Sequence, residues 1–524
     1  MNEGHYLLEN DNSDPLQRKI TLSIAELLDK NDHLPFYLTT NADWRSRIYT
    51  QSFYITYQGG DLTTALLNFW VGEPLTESGL FYLKIYGANN HNQSNISKSS
   101  FLDRIKWVDD NYDKIINLDP ELISSAENKF IFTAFCLNMK LYDSDPQAKI
   151  STPVFLDATC SGIQHLAALL LDVELAKQSN LTPNTQQDIP ADFYNSLIEP
   201  INFAINKLGE NDLKHSQLKE VKMNRKILKQ SIMTKVYNVT RFGIADQIKN
   251  KLKKVELNKE ESNRQLKTVL VDLLSSNLKI KQKFNKTIMY EAPTKDGKKI
   301  LISNQDIFKI AEIIDREIFI LYPSLYYIYN YFMDMASLML KLNIPLTWIT
   351  PAGLKITQHY LKSKQINLAI RFAGKNRKMV LRESTKELDT IKQTQAIIPN
   401  IIHSLDANHI LILINNCKKQ DFYPIITIHD CFGTLPNKML QLESRIKNDF
   451  ILLYTNDHFL QKFHDKTLES IKDNQFEIIA IKNSETGSIE NYVEFMGQDL
   501  RIPDKPKMGK LDLQNLRSSN YMVS

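Results

Sequence analysis

Two aspartates stand at the ends of apolar runs, where a carboxylate needs a partner. Asp157 ends the stretch "PVFLD" and Asp430 ends the stretch "IITIHD". Isoleucine, valine and phenylalanine in such runs predict buried strands. A carboxylate at the end of a buried strand must be paired, bound to a metal ion or exposed at a turn. On this pattern alone, two unrelated turn aspartates remain the simpler interpretation.

Brought together, the two carboxylates would repel each other, and each would raise the pKa of the other unless cations lay between them. Two hard divalent ions held by oxygen ligands, such as Mg²⁺, would remove this repulsion. Such ions suit in-line phosphoryl transfer, in which one activates the attacking hydroxyl and the other stabilises the leaving pyrophosphate. The pair therefore predicts a nucleotidyl-transfer site if the fold joins the two strand ends.

A third segment carries cations and an aromatic ring at helical spacing. In "RKILKQSIMTKVYNVTRFG", four residues lie at intervals of four positions, which places them along one side of a helix: Arg225, Lys229, Met233 and Tyr237. Cations at the start of this stripe suit a triphosphate, and a ring at its end suits stacking or the ribose. The alternative is a basic amphipathic helix on the protein surface.

These segments together resemble a known family. "DATCSGIQH", "RKILKQSIMTKVYNVTRFG" and "TIHDCFGT" are similar, in this order, to motifs A, B and C of the phage-type single-subunit RNA polymerases, which include mitochondrial and mitochondrial-plasmid enzymes. The segments "DWRSRIYTQSFYITYQGGDLTTALLNF", "FYLKIYGANN", "TWITPAGL" and "IIPNIIHSLDANHILIL" agree as well. The resemblance covers roughly residues 40 to 440 and is specific, because several motifs are in register.

The resemblance implies a metal site built by the two aspartates. Asp157 and Asp430 correspond to the metal-binding aspartates of the family, which would hold two Mg²⁺ ions, and the backbone carbonyl of Ala158 would face a metal as well. The family usually has glycine at position 158. Since the backbone is the ligand, we expect little loss from alanine. His429 is expected to support Asp430.

The resemblance also implies roles in nucleotide binding. Lys229, a catalytic residue by this comparison, would neutralise the incoming triphosphate together with Arg225, one helical turn before it. Tyr237 would select ribonucleotides with the help of His403 near the ribose 2′-hydroxyl, and Arg47 would lie near the active centre. Without the resemblance, a histidine that follows two isoleucines is more simply explained as a core residue bonded to the backbone.

Five neighbouring residues receive less detailed assignments. Arg45 and Tyr49 are further candidates beside Arg47. Gln164 and His165 are expected to pack behind motif A. Asn238 stands where the family commonly has glycine, next to the template base.

Two basic stretches predict contacts with nucleic acid. Residues 355–382 contain eight Lys or Arg and no acid, and residues 214–254 contain twelve against two acids. Each stretch alone is more simply explained as solvated surface, whereas two in one chain favour a phosphate-lined channel. Residues 355–382 fall where the family carries its promoter-reading hairpin. The resemblance therefore implies DNA contacts for Arg371, Lys375, Asn376 and Arg377.

The patterns of apolar residues along the chain, typical of helices and of strands, predict an α+β, helix-rich fold. The resemblance implies a right-handed polymerase core of palm and fingers. The expected parts are a short helical remnant at 1–40, a first part of the palm at 41–185, fingers at 186–402 with the hairpin near 355–399, and a second part of the palm at 403–524 with a helical tail. The two palm parts are expected to join in one sheet-based unit. The lysine-rich stretch 249–300 is expected to be an insertion or a mobile arm.

Composition indicates the class of protein and the kind of compartment in which it works. The chain has 524 residues, a formal net charge of +4 and 43% hydrophobic residues, as an ordinary soluble protein of several domains does. No run approaches the ~18 apolar residues that a membrane helix needs, and no transit peptide is visible. Four cysteines without a CxxC pair indicate a reducing compartment.

The short region before Asp43 is the main departure from the family. Only 42 residues precede it, so the large N-terminal domain and most of the thumb are expected to be absent. The chain is then a truncated reading frame or a fragment, or an accessory initiation factor supplies the missing functions. The implied partners are a DNA template, nascent RNA and ribonucleoside triphosphates, without a membrane. Richness in Lys, Asn and Ile indicates an AT-rich gene and predicts a mitochondrial location, with a phage or a plastid as alternatives.

Two other functions stay open at this stage. A DNA polymerase with related palm geometry would share the aspartate pair, although "IHDCFGT", "SGIQH" and the pair of Tyr237 and His403 favour RNA synthesis. A truncated relic that binds nucleic acid without synthesis would explain the short N-terminal region, although every catalytic side chain named above is present. Nucleotide incorporation assays separate the first alternative, and primer extension on a preassembled scaffold separates the second.

Overall fold

The first part of the chain alternates short strands with helices. The computed structural model describes residues 15–31, 33–184, 188–258, 286–372, 374–483 and 487–524. Up to residue 178 the helices are α1 (Pro15–Asp29), α2 (Asp61–Ala65), α3 (Glu77–His91), α4 (Phe101–Asp110), α5 (Tyr112–Ile116), α6 (Pro120–Ser125), α7 (Lys129–Ser144), α8 (Ser161–Leu170) and α9 (Val173–Gln178), and the strands are β1 (Thr40–Ala42), β2 (Ile48–Thr50), β3 (Glu73–Pro74), β4 (Lys149–Ile150) and β5 (Val154–Asp157). Side chains of Thr76, Ser100 and Asp172 cap α3, α4 and α9, which satisfies N–H groups that a helix start leaves unpaired.

Helices and short strands alternate in the middle of the chain, with a β-rich piece near its end. The helices are α10 (Phe193–Ser196), α11 (Ile198–Asn211), α12 (Arg225–Val236), α13 (Arg241–Lys251), α14 (Asn304–Leu321) and α15 (Pro323–Lys341), and the strands are β6 (Lys253–Asn258), β7 (Lys286–Pro293), β8 (Lys299–Ser303), β9 (Leu346–Ile349), β10 (Lys355–Gln358), β11 (Leu361–Phe372) and β12 (Lys375–Leu388). A capping box of Ser303 and Asp306 starts α14. Within the stretch 249–300, strands β6, β7 and β8 form a small antiparallel sheet. Residues 259–285 lie outside the described residues.

The C-terminal part differs from the prediction in its tail. Its elements are α16 (Thr390–Gln395), α17 (Ile397–Lys419), β13 (Ile426–Ile428), β14 (Cys431–Thr434), α18 (Met439–Thr455), α19 (Phe459–Asp473), β15 (Ile478–Lys482), β16 (Ile489–Phe495) and β17 (Gln498–Arg501). The predicted helical tail is wrong after α19, because β15, β16 and β17 form an antiparallel sheet. Met496 and Gly497, both at positive φ, make the tight turn that connects β16 to β17.

One small sheet joins distant parts of the chain. Strand β14 pairs antiparallel with β13 on one side and with β5 on the other. The expectation that the parts flanking the helical region meet in one sheet-based unit is therefore confirmed. The expected α+β, helix-rich class is also confirmed, since 53% of the structure is helical.

Two buried helices pack near this sheet. Every residue of α8 is buried, and α17 buries polar as well as apolar side chains along its length. By length and composition alone α17 could cross a membrane, contrary to the sequence prediction, but 72% of its most apolar window is buried inside the protein. The mostly buried core helix of a soluble protein passes the same test of length and composition, so α17 is weak evidence for a membrane span.

Candidate active site

The two aspartates lie side by side at the ends of paired strands. Asp157 is the last residue of β5 and pairs with Cys431 of β14, so that Asp430 precedes the neighbouring strand by one residue. The backbone N–H of Ala158 donates to the carbonyl of Asp430 over 3.0 Å. His429 and Asp430 form the two-residue turn between β13 and β14. The sheet thus brings together two carboxylates that are far apart in the sequence.

The two carboxylates disfavour each other's charge. Burial and the neighbouring charge of Asp430 raise the pKa of Asp157 to about 7, although Lys98 and Lys229 oppose this shift. Burial raises the pKa of Asp430 as well. Asp157 reaches the surface of a cavity, so this carboxylate is accessible to an ion even though protein surrounds it.

The donor set at this point suits a hard divalent cation. The residues Asp157, Asp430 and Ala158 line one cavity, and carboxylate oxygens are ligands that Mg²⁺ prefers. Among the described residues, no group of three or more His, Cys, Asp or Glu side chains is placed to hold a metal ion. Asp157 and Asp430 are the two carboxylates of this cavity that could hold metal ions.

A cavity of about 220 Å³ adjoins the aspartate pair. Its wall includes the predicted stripe of α12, namely Arg225, Lys229, Met233 and Tyr237. Tyr237 lies one residue beyond the end of α12. The next residue, Asn238, has φ of 60°, a left-handed conformation that glycine and asparagine adopt with least strain. Asn238 therefore takes a backbone conformation that glycine at this position would also adopt without strain.

The sequence alone did not identify Lys98 and Tyr194, which line the cavity, or Asp192, which pairs with a residue of its wall. Lys98 lines the cavity beside Arg225 and Lys229; burial lowers its pKa, and the charges of these two residues lower it further. Asp192 forms an ion pair with the Arg225 guanidinium over 2.7 Å. Tyr194 lines the same cavity. Lys98 sits in the polar run "NQSNISKSS", which carries no pattern that could have identified it.

Tyr237 and His403 meet at the end of the stripe. Their ring centroids are 5.3 Å apart. Gly162 of α8 makes this position of Tyr237 accessible, because a Cβ atom at residue 162 would lie 3.0 Å from the tyrosine hydroxyl. Burial and the charge of Asp430 raise the pKa of Tyr237, so that its hydroxyl keeps its proton and can donate a hydrogen bond. The predicted pair is therefore adjacent.

Arg47 is held by a buried carboxylate on α17. Its Nε donates to Asp406 over 3.1 Å, and its Nη2 makes a second hydrogen bond to the same group. Burial lowers the pKa of Arg47, but its contacts with Asp406 raise it by more, so that the net pKa lies above the usual value. The charges of Tyr237 and Asp430 also contribute to this rise. Asp406 was not identified from the sequence.

Four other candidate residues do not belong to the lining of this cavity: His429, Tyr49, Gln164 and His165. The ring of His429 packs edge-on against Tyr49 with centroids 4.9 Å apart, and its Nδ1 makes no hydrogen bond within the described part of the chain. Burial and Arg47 lower the pKa of His429 to about 4. Gln164 donates to the Ser179 carbonyl, and Nδ1 of His165 contacts the Tyr454 hydroxyl over 2.6 Å.

The four candidate DNA contacts lie at the tip of a long hairpin. Strands β11 and β12 pair antiparallel, with Arg371 opposite Asn376 and Phe372 opposite Lys375. Arg371, Asn376 and Arg377 are exposed. The side chain of Lys375 lies outside the described residues. A hairpin is therefore present where the resemblance placed one.

Comparisons with known proteins give a family model and several named relatives that match this chain. A family model described as DNA-dependent RNA polymerase matches residues 73–524. A probable DNA-directed RNA polymerase of Gelasinospora sp. (strain G114) is 42% identical over an alignment that covers 100% of this chain and 60% of the relative. A probable DNA-directed RNA polymerase of Neurospora crassa is 35% identical, with 87% and 48% covered. The mitochondrial DNA-directed RNA polymerase of Mus musculus is 27% identical, with 96% and 38% covered. The chain thus spans 60% or less of the length of these relatives.

Proposed function

Because the chain belongs to the phage-type family of DNA-dependent RNA polymerases, we propose that it carries out DNA-templated RNA synthesis by two-metal nucleotidyl transfer. One observation carries this proposal. The aspartate pair opens onto the same cavity as Lys229, Arg225 and Tyr237. This cavity therefore offers ligands for cations, positive charges for a triphosphate and a hydroxyl for a ribose in one place.

Each cavity residue has a task in this reaction. Asp157 and Asp430 would hold two Mg²⁺ ions, whose chemistry would be to activate the RNA 3′-hydroxyl and to stabilise the leaving pyrophosphate. Lys229 and Arg225 neutralise the triphosphate and orient it by charge-assisted hydrogen bonds. Lys98 adds a third cation to the same wall.

Architecture and setting extend the proposal. Residues 41–185 and 403–524 form the palm of a right hand, and residues 186–402 form the fingers; the shared sheet of β5, β14 and β13 supports this division. DNA template, nascent RNA and ribonucleoside triphosphates are the partners, with an accessory initiation factor for promoter opening. The mitochondrial names of several relatives support a mitochondrial location.

Primer extension on a preassembled scaffold tests the proposed function. The chain is incubated with an RNA primer annealed to a DNA template, Mg²⁺ and ribonucleoside triphosphates, so that promoter opening is not needed. We expect templated lengthening of the RNA and release of pyrophosphate. Binding of the scaffold without any extension would show instead that the chain is a nucleic-acid-binding relic.

Tyr237→Phe should weaken the preference for ribonucleotides. The variant keeps the ring beside His403 but loses the hydroxyl, so the ratio of ribonucleotide to deoxyribonucleotide incorporation should fall on the order of 10-fold, as expected for one hydrogen bond. Single-nucleotide addition to the scaffold with matched rNTP and dNTP measures the ratio. Tyr327→Phe, at an exposed tyrosine, is the control. An unchanged ratio in Tyr237→Phe would remove this tyrosine from ribose selection.

The hairpin tip is proposed to contact DNA phosphates. Affinity for DNA falls as salt concentration rises. Replacing Arg371 and Arg377 with glutamine should make the slope of log affinity against log salt concentration less steep, by about 0.9 for each phosphate contact that is lost. Titration of a fluorescent DNA duplex at several salt concentrations measures this slope. Replacing Arg316 and Arg501, exposed arginines outside the hairpin, should leave it unchanged. Equal slopes for both double variants would argue against DNA binding by the tip.

A further inference from the structure

The turn between β1 and β2 is organised by one carboxylate. Asp43 accepts hydrogen bonds at Oδ1 from the backbone N–H groups of Arg45 and Arg47, over 2.9 and 3.0 Å. The Asp43 N–H donates to the Arg47 carbonyl over 2.8 Å, and Ser46 adopts φ of 75°. The backbone from Asp43 to Arg47 is therefore fixed, with both guanidinium groups projecting from one short turn.

Both arginines of this turn reach α17. Arg47 binds Asp406, and Nη1 of Arg45 lies 2.9 Å from Nδ1 of His403. His403 and Asp406 are three residues apart, so they lie on neighbouring positions of one helix face. The turn thus contacts α17 at two adjacent points, one of which is the histidine beside Tyr237.

The contact with Arg45 determines which nitrogen of His403 carries the proton. An arginine side chain has only hydrogen-bond donors, so Nδ1 of His403 must accept. In a neutral imidazole the proton then resides on Nε2. Burial and the charges of Arg47 and Arg45 lower the pKa of His403 to about 3, so the ring is neutral at physiological pH.

Asp43 in turn fixes the guanidinium of Arg45. Its Oδ2 accepts from Nε and Nη2 of Arg45, over 2.9 and 2.6 Å. This two-point contact holds the planar guanidinium in one orientation. Nη1, which Asp43 does not engage, is the nitrogen that faces His403. The chain of contacts therefore runs from a fixed turn through a fixed guanidinium to one ring nitrogen.

We propose that Asp43 and Arg45 are positioning residues for ribose selection, which hold His403 as the Nε2–H tautomer beside Tyr237 so that it can donate to the ribose 2′-hydroxyl. The inference rests on the proposed function of the Tyr237 site. It adds that discrimination between ribose and deoxyribose depends on a turn far from that site in the sequence. Loss of Arg45 leaves both tautomers of His403 accessible, and only one of them presents a donor on the Nε2 side.

Arg45→Gln tests the proposal by kinetics. The ratio of rNTP to dNTP incorporation should fall on the order of 10-fold, the effect of one oriented hydrogen bond, while extension with rNTP continues. Arg45→Lys retains the charge but not the two-point contact with Asp43, and should restore part of the ratio. Arg316→Gln, at an exposed arginine, is the matched control and should keep the original ratio. An unchanged ratio in Arg45→Gln would overturn the proposal.

The tautomer itself is measured without activity. In ¹⁵N-histidine-labelled chain, long-range ¹H–¹⁵N spectra should show His403, assigned by comparison with His403→Asn, as the Nε2–H tautomer, and Arg45→Gln should shift it towards a mixture. An Nδ1–H tautomer in the unsubstituted chain would overturn the proposal. If the unsubstituted chain extends no primer, the proposed function fails, and the spectra still decide whether Arg45 sets the tautomer.

Discussion

Asp157→Asn and Asp430→Asn should each reduce nucleotide addition on the RNA–DNA scaffold to background. Each substitution replaces a charged oxygen ligand by a neutral amide in a cavity that two carboxylates share, so the affinity for hard divalent ions falls. The same variants should bind Mn²⁺ more weakly, as measured by the electron paramagnetic resonance signal of the free ion. Scaffold affinity should change little, because nucleic-acid binding depends on cationic surfaces.

Asp334→Asn provides the matched control for these variants. Burial raises the pKa of Asp334 as it does that of the paired aspartates, but Asp334 lies on α15, away from the cavity lining. Its substitution should leave extension and Mn²⁺ binding intact. Near-normal extension by Asp157→Asn or Asp430→Asn would contradict the assignment of the metal site.

The same pair gives the metal-free protein a defined response to pH. The pKa of Asp157 is raised to about 7 in the fold, above the ~3.9 of an unfolded aspartate. Between these values the folded chain binds a proton that the unfolded chain does not, so this group lowers stability above pH 7 and the penalty disappears as pH falls towards 4. In chelator, Asp157→Asn should therefore raise the melting temperature at pH 8 more than at pH 5.

Lys229→Ala should lower kcat/KM for ribonucleoside triphosphates on the order of 100-fold, as loss of one preorganised charge at a developing negative centre does. Lys229 is exposed towards the cavity from α12, one turn after Arg225. Arg225 is already paired with Asp192, so it is less able to compensate. Single-turnover addition over a range of nucleotide concentrations separates weaker binding from slower chemistry.

Lys226→Ala is the control for this prediction. Lys226 lies on the same helix and is exposed, but it does not line the cavity. It should keep kcat/KM within about 2-fold, in the range of ordinary surface substitutions. Equal losses in both variants would mean that α12 acts through its general positive charge and not through Lys229.

The fold was predictable where local pattern and burial agree. The apolar runs before Asp157 and Asp430 form strands, as predicted. Arg225, Lys229 and Tyr237, which lie at helical spacing, line the same cavity. The prediction of helix is wrong after α19. The feature of the sequence that indicates strands there is a two-residue turn, Met496 and Gly497, both at positive φ. Short turns carry less pattern than long periodic segments.

Side-chain type and helical or strand periodicity are local properties, so they indicate from the sequence which residues are candidates for the chemistry, and the order of the three motifs reveals the family. Folding alone brings Lys98 into this cavity, pairs Asp192 with Arg225 and places Nη1 of Arg45 2.9 Å from Nδ1 of His403. The physical reason is that these contacts connect segments separated by long stretches of chain. The pairing of β5 with β14 and the packing of the β1–β2 turn on α17 set the distances between these segments. The spacing of residues within one segment does not specify such distances.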